Sequence, residues 1–119
     1  MENTKKLQID ELENSLVRLK KFYQSNKKVQ RKILKNKSDC KIIVIIRDIV
    51  LNLLKGNINL TDREKNKLQK HKYTLRKLID TNPLCKSREI IVQKGGFLSV
   101  LIPSAITLIT SILEVLNKT

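Results

Sequence analysis

The 119-residue sequence has no tryptophan, one methionine, two tyrosines, two phenylalanines and two cysteines. Each shortage closes a route. Four aromatics, Phe22, Tyr23, Tyr73 and Phe97, are too few to build a platform on which the bases of a single strand stack. Cys40, Cys85 and one distant histidine, His71, cannot assemble a metal cluster without carboxylates borrowed at arbitrary spacing, so no metal is expected. The N-terminal segment carries no signal-peptide pattern, so the two cysteines read as structural thiols and not as the disulfide scaffold of a secreted protein. Paired carboxylates, a Ser-His-Asp or Cys-His set at supporting spacing, and a glycine-rich loop between strand and helix are all missing. The expectation is a protein that is not an enzyme and takes no cofactor. His71, inside Lys70-His71-Lys72, reads as a surface phosphate contact in preference to a general base.

Acid is scarce as well. Lys and Arg number 25 against 11 Asp and Glu, a formal charge of +14. The whole excess precedes Gly95; beyond it, Glu114 and Lys118 cancel. A compact chain with such an excess repels itself unless phosphate or anionic lipid offsets it. Lys far outnumbers Arg, which favours diffuse phosphate contact over bidentate reading of base edges.

What is present reads as helix. Ile9, Leu12, Leu16, Leu19 and Tyr23 recur at three- and four-residue spacing, with Asp10, Glu11 and Glu13 early and Arg18, Lys20 and Lys21 late, as the helix dipole favours. Between Arg18 and Lys37 there is no acid, and Lys27, Lys28, Arg31, Lys32 and Lys35 surround Val29, Ile33 and Leu34. This predicts a short basic helix, bounded by Ser25-Asn26 and Ser38-Asp39 as candidate caps. Ile42 to Leu54 is almost continuously apolar and is predicted as the central core helix, with Arg47, Asp48, Asn52 and Lys55 along a narrow polar side. Gly56-Asn57 ends it, and Thr61-Asp62-Arg63-Glu64 is a capping box. The helix it opens is predicted to run to Asn82-Pro83, with Leu68, Leu75, Leu78 and Ile79 inward and Arg63, Lys65, Lys67, Lys70, Lys72, Arg76 and Lys77 outward.

After Gly95-Gly96, which reads as a hinge, the stretch from Phe97 to Leu116 is about as long as a membrane-spanning helix. Pro103 and the hydroxyl residues count against a simple span. A helix opening at Pro103 would align Ser104, Thr107, Ser111, Glu114 and Lys118 in a polar stripe that suits burial or an interface.

The ordered set Gly56-Asn57-Ile58-Asn59-Leu60-Thr61, Lys70-His71-Lys72, Leu75-Arg76-Lys77-Leu78 and Ile91-Val92-Gln93-Lys94-Gly95-Gly96-Phe97-Leu98 resembles a small protein of Polinton (Maverick) elements and adintoviruses, over roughly Val29 to Pro103. That family places a basic helical part before a Gln-Lys-Gly-Gly-Phe-Leu junction and a hydrophobic end, and has been likened to the small basic core protein of adenoviruses. The resemblance implies a late virion component on packaged double-stranded DNA, with capsid proteins as partners and a tail able to act on membranes. It also implies a candidate cleavage site at Gly95-Gly96 for an adenovirus-type protease, although Gln93 stands where such proteases take an apolar residue.

Together these readings predict an all-α protein of about four helices plus an apolar C-terminal helix, divided into a basic domain (1–94) and a hinge with tail (95–119). The expected function is non-enzymatic, sequence-independent nucleic-acid binding, in the virion or in the host nucleus or cytoplasm during assembly. Lys27, Lys28, Arg31, Lys32, Lys35, Arg63, Lys67, Lys70, His71, Arg76 and Lys77 are the candidate contacts. The alternative is a membrane-associated protein whose tail inserts while the basic part lies on anionic lipid. Phe97, Leu98, Leu101 and Ile102 are candidates to dock on a partner or on a second copy, and a tail folded back on Ile42 to Leu54 would instead be a core helix.

Overall fold

The computed structural model describes residues 2–81 and 84–118, with side chains for 9–81 and 86–117. Helices run over α1 (Glu2–Gln24), α2 (Lys27–Lys35), α3 (Lys41–Leu54), α4 (Asp62–Gln69), α5 (Lys72–Asp80), α6 (Leu84–Lys94) and α7 (Leu98–Lys118), and a 3-10 turn, Gly95–Phe97, joins the last two. No strand occurs among the described residues, so the fold is all-α.

Local chemistry sets most boundaries. Asn26 caps α2, its side chain accepting from the Val29 N–H at 2.9 Å. Asp39 accepts from the Lys41 N–H at 3.0 Å at the start of α3, although Cys40 holds the cap position itself. Gly56, at φ 79°, ends α3: its N–H donates to Leu53 O and the Asn57 N–H to Asn52 O, the paired bonds of a Schellman motif. The Thr61–Glu64 capping box is formed in both directions, at 3.2 and 3.0 Å.

One core collects side chains from every helix among 19–113. Ile42, Ile43, Ile46, Ile49 and Val50 of α3 are buried at its centre, with Leu19 and Phe22 from α1, Leu75 and Leu78 from α5 and Ile91 from α6. Phe97, Leu101, Ile102, Ala105, Ile109 and Leu113 complete it. The apolar helix α7 lies mainly along α1 and also touches α3 and α4. Both sides of the Gly95 boundary therefore feed the same core.

Four details differ from the sequence expectation. On α1 the buried aromatic is Phe22, 2% exposed, and not Tyr23, 49% exposed. A helix from Thr61 to Asn82-Pro83 is instead two, broken at Lys70-His71, because α4 packs on α7 while α5 packs on α3 and α6; Asn82-Pro83 itself lies outside the described residues. The helix α6, which the sequence expectation does not include, covers the polar run Lys86 to Glu89, and Ser87 and Arg88 within it are buried. Finally, α7 opens at Leu98 with Pro103 inside it, not at Pro103.

Candidate nucleic-acid interface

The acid-free helix α2 turns Leu34 inward against the core and leaves Lys27, Lys28, Arg31, Lys32 and Lys35 exposed. These five side chains, with Asn36, line one shallow groove of about 510 Å³. Five cations within nine residues repel one another along the helix. One feature offsets this. The basic side chains Lys32 and Lys35 sit in the last turn, where the helix dipole favours positive charge. The buried guanidinium of Arg88, from α6, is a further cation at this end of α2, where it satisfies a helix-end carbonyl by donating from Nη2 to Asn36 O at 3.0 Å. The same nitrogen stands 2.9 Å from Cys40 Sγ.

Arg47 plays a matching part at α5, its Nη2 donating to Ile79 O at 3.2 Å in the last turn. Arg47 thus leaves the expected polar side of α3, where Asp48, Asn52 and Lys55 stay exposed. Both arginines satisfy helix-end carbonyls and keep Nε buried without a hydrogen-bond partner. Arg18 and Asp39 make the ion pair of the α1–α3 side, at 3.5 Å and partly exposed. The Asp39 carboxyl is held below its ordinary range, first by the Lys41 N–H and then by Arg18, against the opposing effect of burial.

The second expected face is divided. Arg63, Lys67 and Lys70 are exposed on α4 and its end, and Arg76 and Lys77 on α5. His71, at the break, is half-buried and points elsewhere: its ring meets Phe97 edge-on, 6.2 Å between centroids. A Cβ on Gly96 would stand 3.5 Å from His71 Cε1. The structure therefore brings the α2 residues together in one groove and turns His71 to the α6–α7 junction.

Glu64 has a double role that sequence spacing does not reveal. Besides closing the capping box it accepts from the Ser104 hydroxyl of α7, the leading reason that its carboxyl is held below 4.5. Ser104 also lies 3.1 Å from Val100 O, and its single proton serves one acceptor at a time. The charged carboxylate is the stronger.

The junction is wound, not extended. Neither Gly95 nor Gly96 has positive φ, and a Cβ on Gly95 would meet Leu98 Cδ1 at 3.3 Å. Cleavage there requires the turn to open first. Phe97, Leu101 and Ile102, the candidate docking residues, are buried in the chain's own core, and Leu98 is half-buried. The helical stretch from Lys86 to Asn117, α6 and α7 joined by the 3-10 turn, contains a span-length window long and apolar enough to cross a membrane, with mean hydropathy 2.0, but 39% of that window is buried inside the protein. Core helices of water-soluble proteins pass the same test. Cys40 is a free thiol, and the Cys85 side chain lies outside those described. Among the described residues no group of three or more His, Cys, Asp or Glu could hold a metal ion.

Comparison with protein-family profiles, with curated proteins and with solved structures finds no match to this chain.

Proposed function

We propose that the chain is a non-catalytic, sequence-independent nucleic-acid-binding protein, with double-stranded DNA as its polyanion. The observation that carries this reading is the α2 groove, where Lys27, Lys28, Arg31, Lys32 and Lys35 are exposed together with no acid on the helix. Lysine contacts phosphate as a point charge, and this set is suited to the backbone of a duplex more than to base edges. The exposed Arg63, Lys67, Lys70, Arg76 and Lys77 extend the positive surface. The resemblance to the Polinton and adintovirus protein supports a setting in a virion core or beside capsid proteins, with the host nucleus or cytoplasm as the site of assembly.

A salt series tests the reading. If all five α2 cations contact phosphate, log K falls with log salt at a slope of about −4.5. The double variant Lys28→Glu, Lys32→Glu weakens binding uniformly across DNA sequences and makes the slope shallower by about 2. Binding that is indifferent to salt, or that distinguishes scrambled DNA of equal length, counts against it.

A second reading, attachment to anionic membrane through the tail, draws on the apolar helix α7 (Leu98–Lys118) and the span-length window there. Flotation of the full chain with anionic but not neutral vesicles supports it. Failure to float with either removes it.

A further inference from the structure

Past the end of α2 the positive surface turns a corner. At Asn36 the α2 groove meets a small cleft of about 150 Å³ between α1, α2 and α3, whose polar lining is Arg18, Lys21, Asn36 and Asp39. Arg18, Lys21 and Asp39 also line a broad, shallow face between α1 and α3, where Lys41 joins them. Lys21 and Lys41 are exposed, and the Arg18 side chain is 38% exposed. From Arg18 to Lys41 the chain has a single acid, Asp39. Asp48 on α3, with Asp10, Glu11 and Glu13 exposed on the first half of α1, marks where this positive surface ends.

Asp39 holds a donor that a phosphate can use. One of its oxygens accepts from the Lys41 N–H at 3.0 Å and the other from Arg18 Nη1 at 3.5 Å. The guanidinium contact is single, long and partly exposed, and ion pairs of that kind hold weakly in water. A phosphodiester attracted by Lys21 and Lys41 offers Arg18 two oxygens in the geometry its planar fork matches. Resting on the DNA reading, we propose that Arg18, Lys21 and Lys41 form a second row of phosphate contacts continuous with the α2 groove, and that Asp39 competes with phosphate for Arg18. A bound duplex then lies across three helices, and it displaces an internal anion before its last contact forms. Asp39 thereby holds affinity below what the cations alone would give.

Fluorescence anisotropy of the full chain on a random-sequence duplex, repeated over a salt series, tests both parts, with circular dichroism confirming that each variant stays helical. Lys21→Gln with Lys41→Gln weakens binding and makes the slope of log K against log salt shallower by about 2. Lys55→Gln with Lys94→Gln removes the same charge from two exposed lysines that line none of these depressions, and leaves the slope unchanged. Equal slopes for the two pairs overturn the second row, since net charge alone would then account for them. Asp39→Asn keeps an oxygen for the Lys41 N–H but loses the charge, so binding tightens several-fold and the slope steepens by about 1. In an Arg18→Gln background the same replacement leaves the slope as it is. No tightening, or an equal effect in both backgrounds, overturns the competition. The α2 variant Lys28→Glu, Lys32→Glu separates the two failures. If it weakens binding while the Lys21 and Lys41 pair matches its control, DNA binding stands and the second row falls. If the unaltered chain binds without salt dependence, both fall.

Discussion

Arg88 is 8% exposed and has no carboxylate within ion-pair distance among the described residues. A buried guanidinium without a counter-ion is costly unless carbonyls replace the water it loses. Asn36 O does so for one nitrogen, and the partial negative charge at the end of α2 adds to the effect. Arg88→Ala removes the donor and leaves Asn36 O unmatched, so stability should fall by about 2 kcal/mol in urea denaturation. Arg88→Lys should recover only part of it, since one ammonium cannot reproduce the planar fork. Glu64 supplies a pH test at the same scale. Its folded-state titration lies below its ordinary 4.5, so it stabilises the fold above that value and the contribution is lost as pH falls through the lowered one. Ser104→Ala removes the leading cause and should narrow the pH range over which this acid limb extends, read as the shift of the Glu64 carboxyl signal in an NMR titration.

Glycines test the elements. Gly56 needs its positive φ to close the Schellman motif, and Gly56→Ala should cost about 1 kcal/mol although a Cβ there meets nothing within 4 Å. Gly96 has no such need and faces only an ordinary contact with His71, so Gly96→Ala should raise stability by about 0.5–1 kcal/mol by restricting the unfolded chain. Thermal unfolding of the two variants should therefore move in opposite directions. A stabilised Gly96→Ala protein that still binds DNA would show that a flexible joint is dispensable for binding. These elements also mark what the sequence makes legible. The caps at Asn26, Gly56 and Thr61 can be read because each is completed by hydrogen bonds within a few residues of itself. The long apolar run of α3 and the spacing of α1 announce helices for the same reason. The break at Lys70-His71 cannot be read, since Leu68, Leu75 and Leu78 keep helical spacing across it and only packing on different neighbours divides them. Nor can α6, where Ser87 donates to Thr81 O and Arg88 to Asn36 O, partners that the chain order keeps 6 and 52 residues away. For the candidate site, the five α2 cations are visible as an acid-free run. His71 is not, because its turn toward Phe97 depends on where α7 lies.

At the scale of the molecule, charge acts in two opposite senses. Salt screens the self-repulsion of a chain at +14 and should raise the unfolding temperature from low to physiological ionic strength. The same salt should weaken DNA binding. A protein whose stability and affinity both fell with salt would contradict this picture. The core imposes a second constraint. Ending the chain at Lys94 removes Phe97, Leu101, Ile102, Ala105, Ile109 and Leu113 from the interior. Burial of these side chains contributes on the order of 10 kcal/mol, comparable with the whole stability of a small domain at about 5–15 kcal/mol. The shortened chain should show no cooperative unfolding transition, and vesicle or DNA binding measured on it would report an unfolded polycation.

The placement of α7 carries one further consequence. The hydroxyls of Thr107, Thr110 and Ser111 donate back to carbonyls one turn earlier in the same helix, so the helix meets their hydrogen-bonding needs without water. Such a helix tolerates either solvent, protein interior or lipid, but it cannot occupy both. For this chain, entering a bilayer means dismantling its own core, and the free energy of folding becomes the latch that holds the tail. Conditions that lower that latch, low salt or acid, would also be the conditions that release the helix.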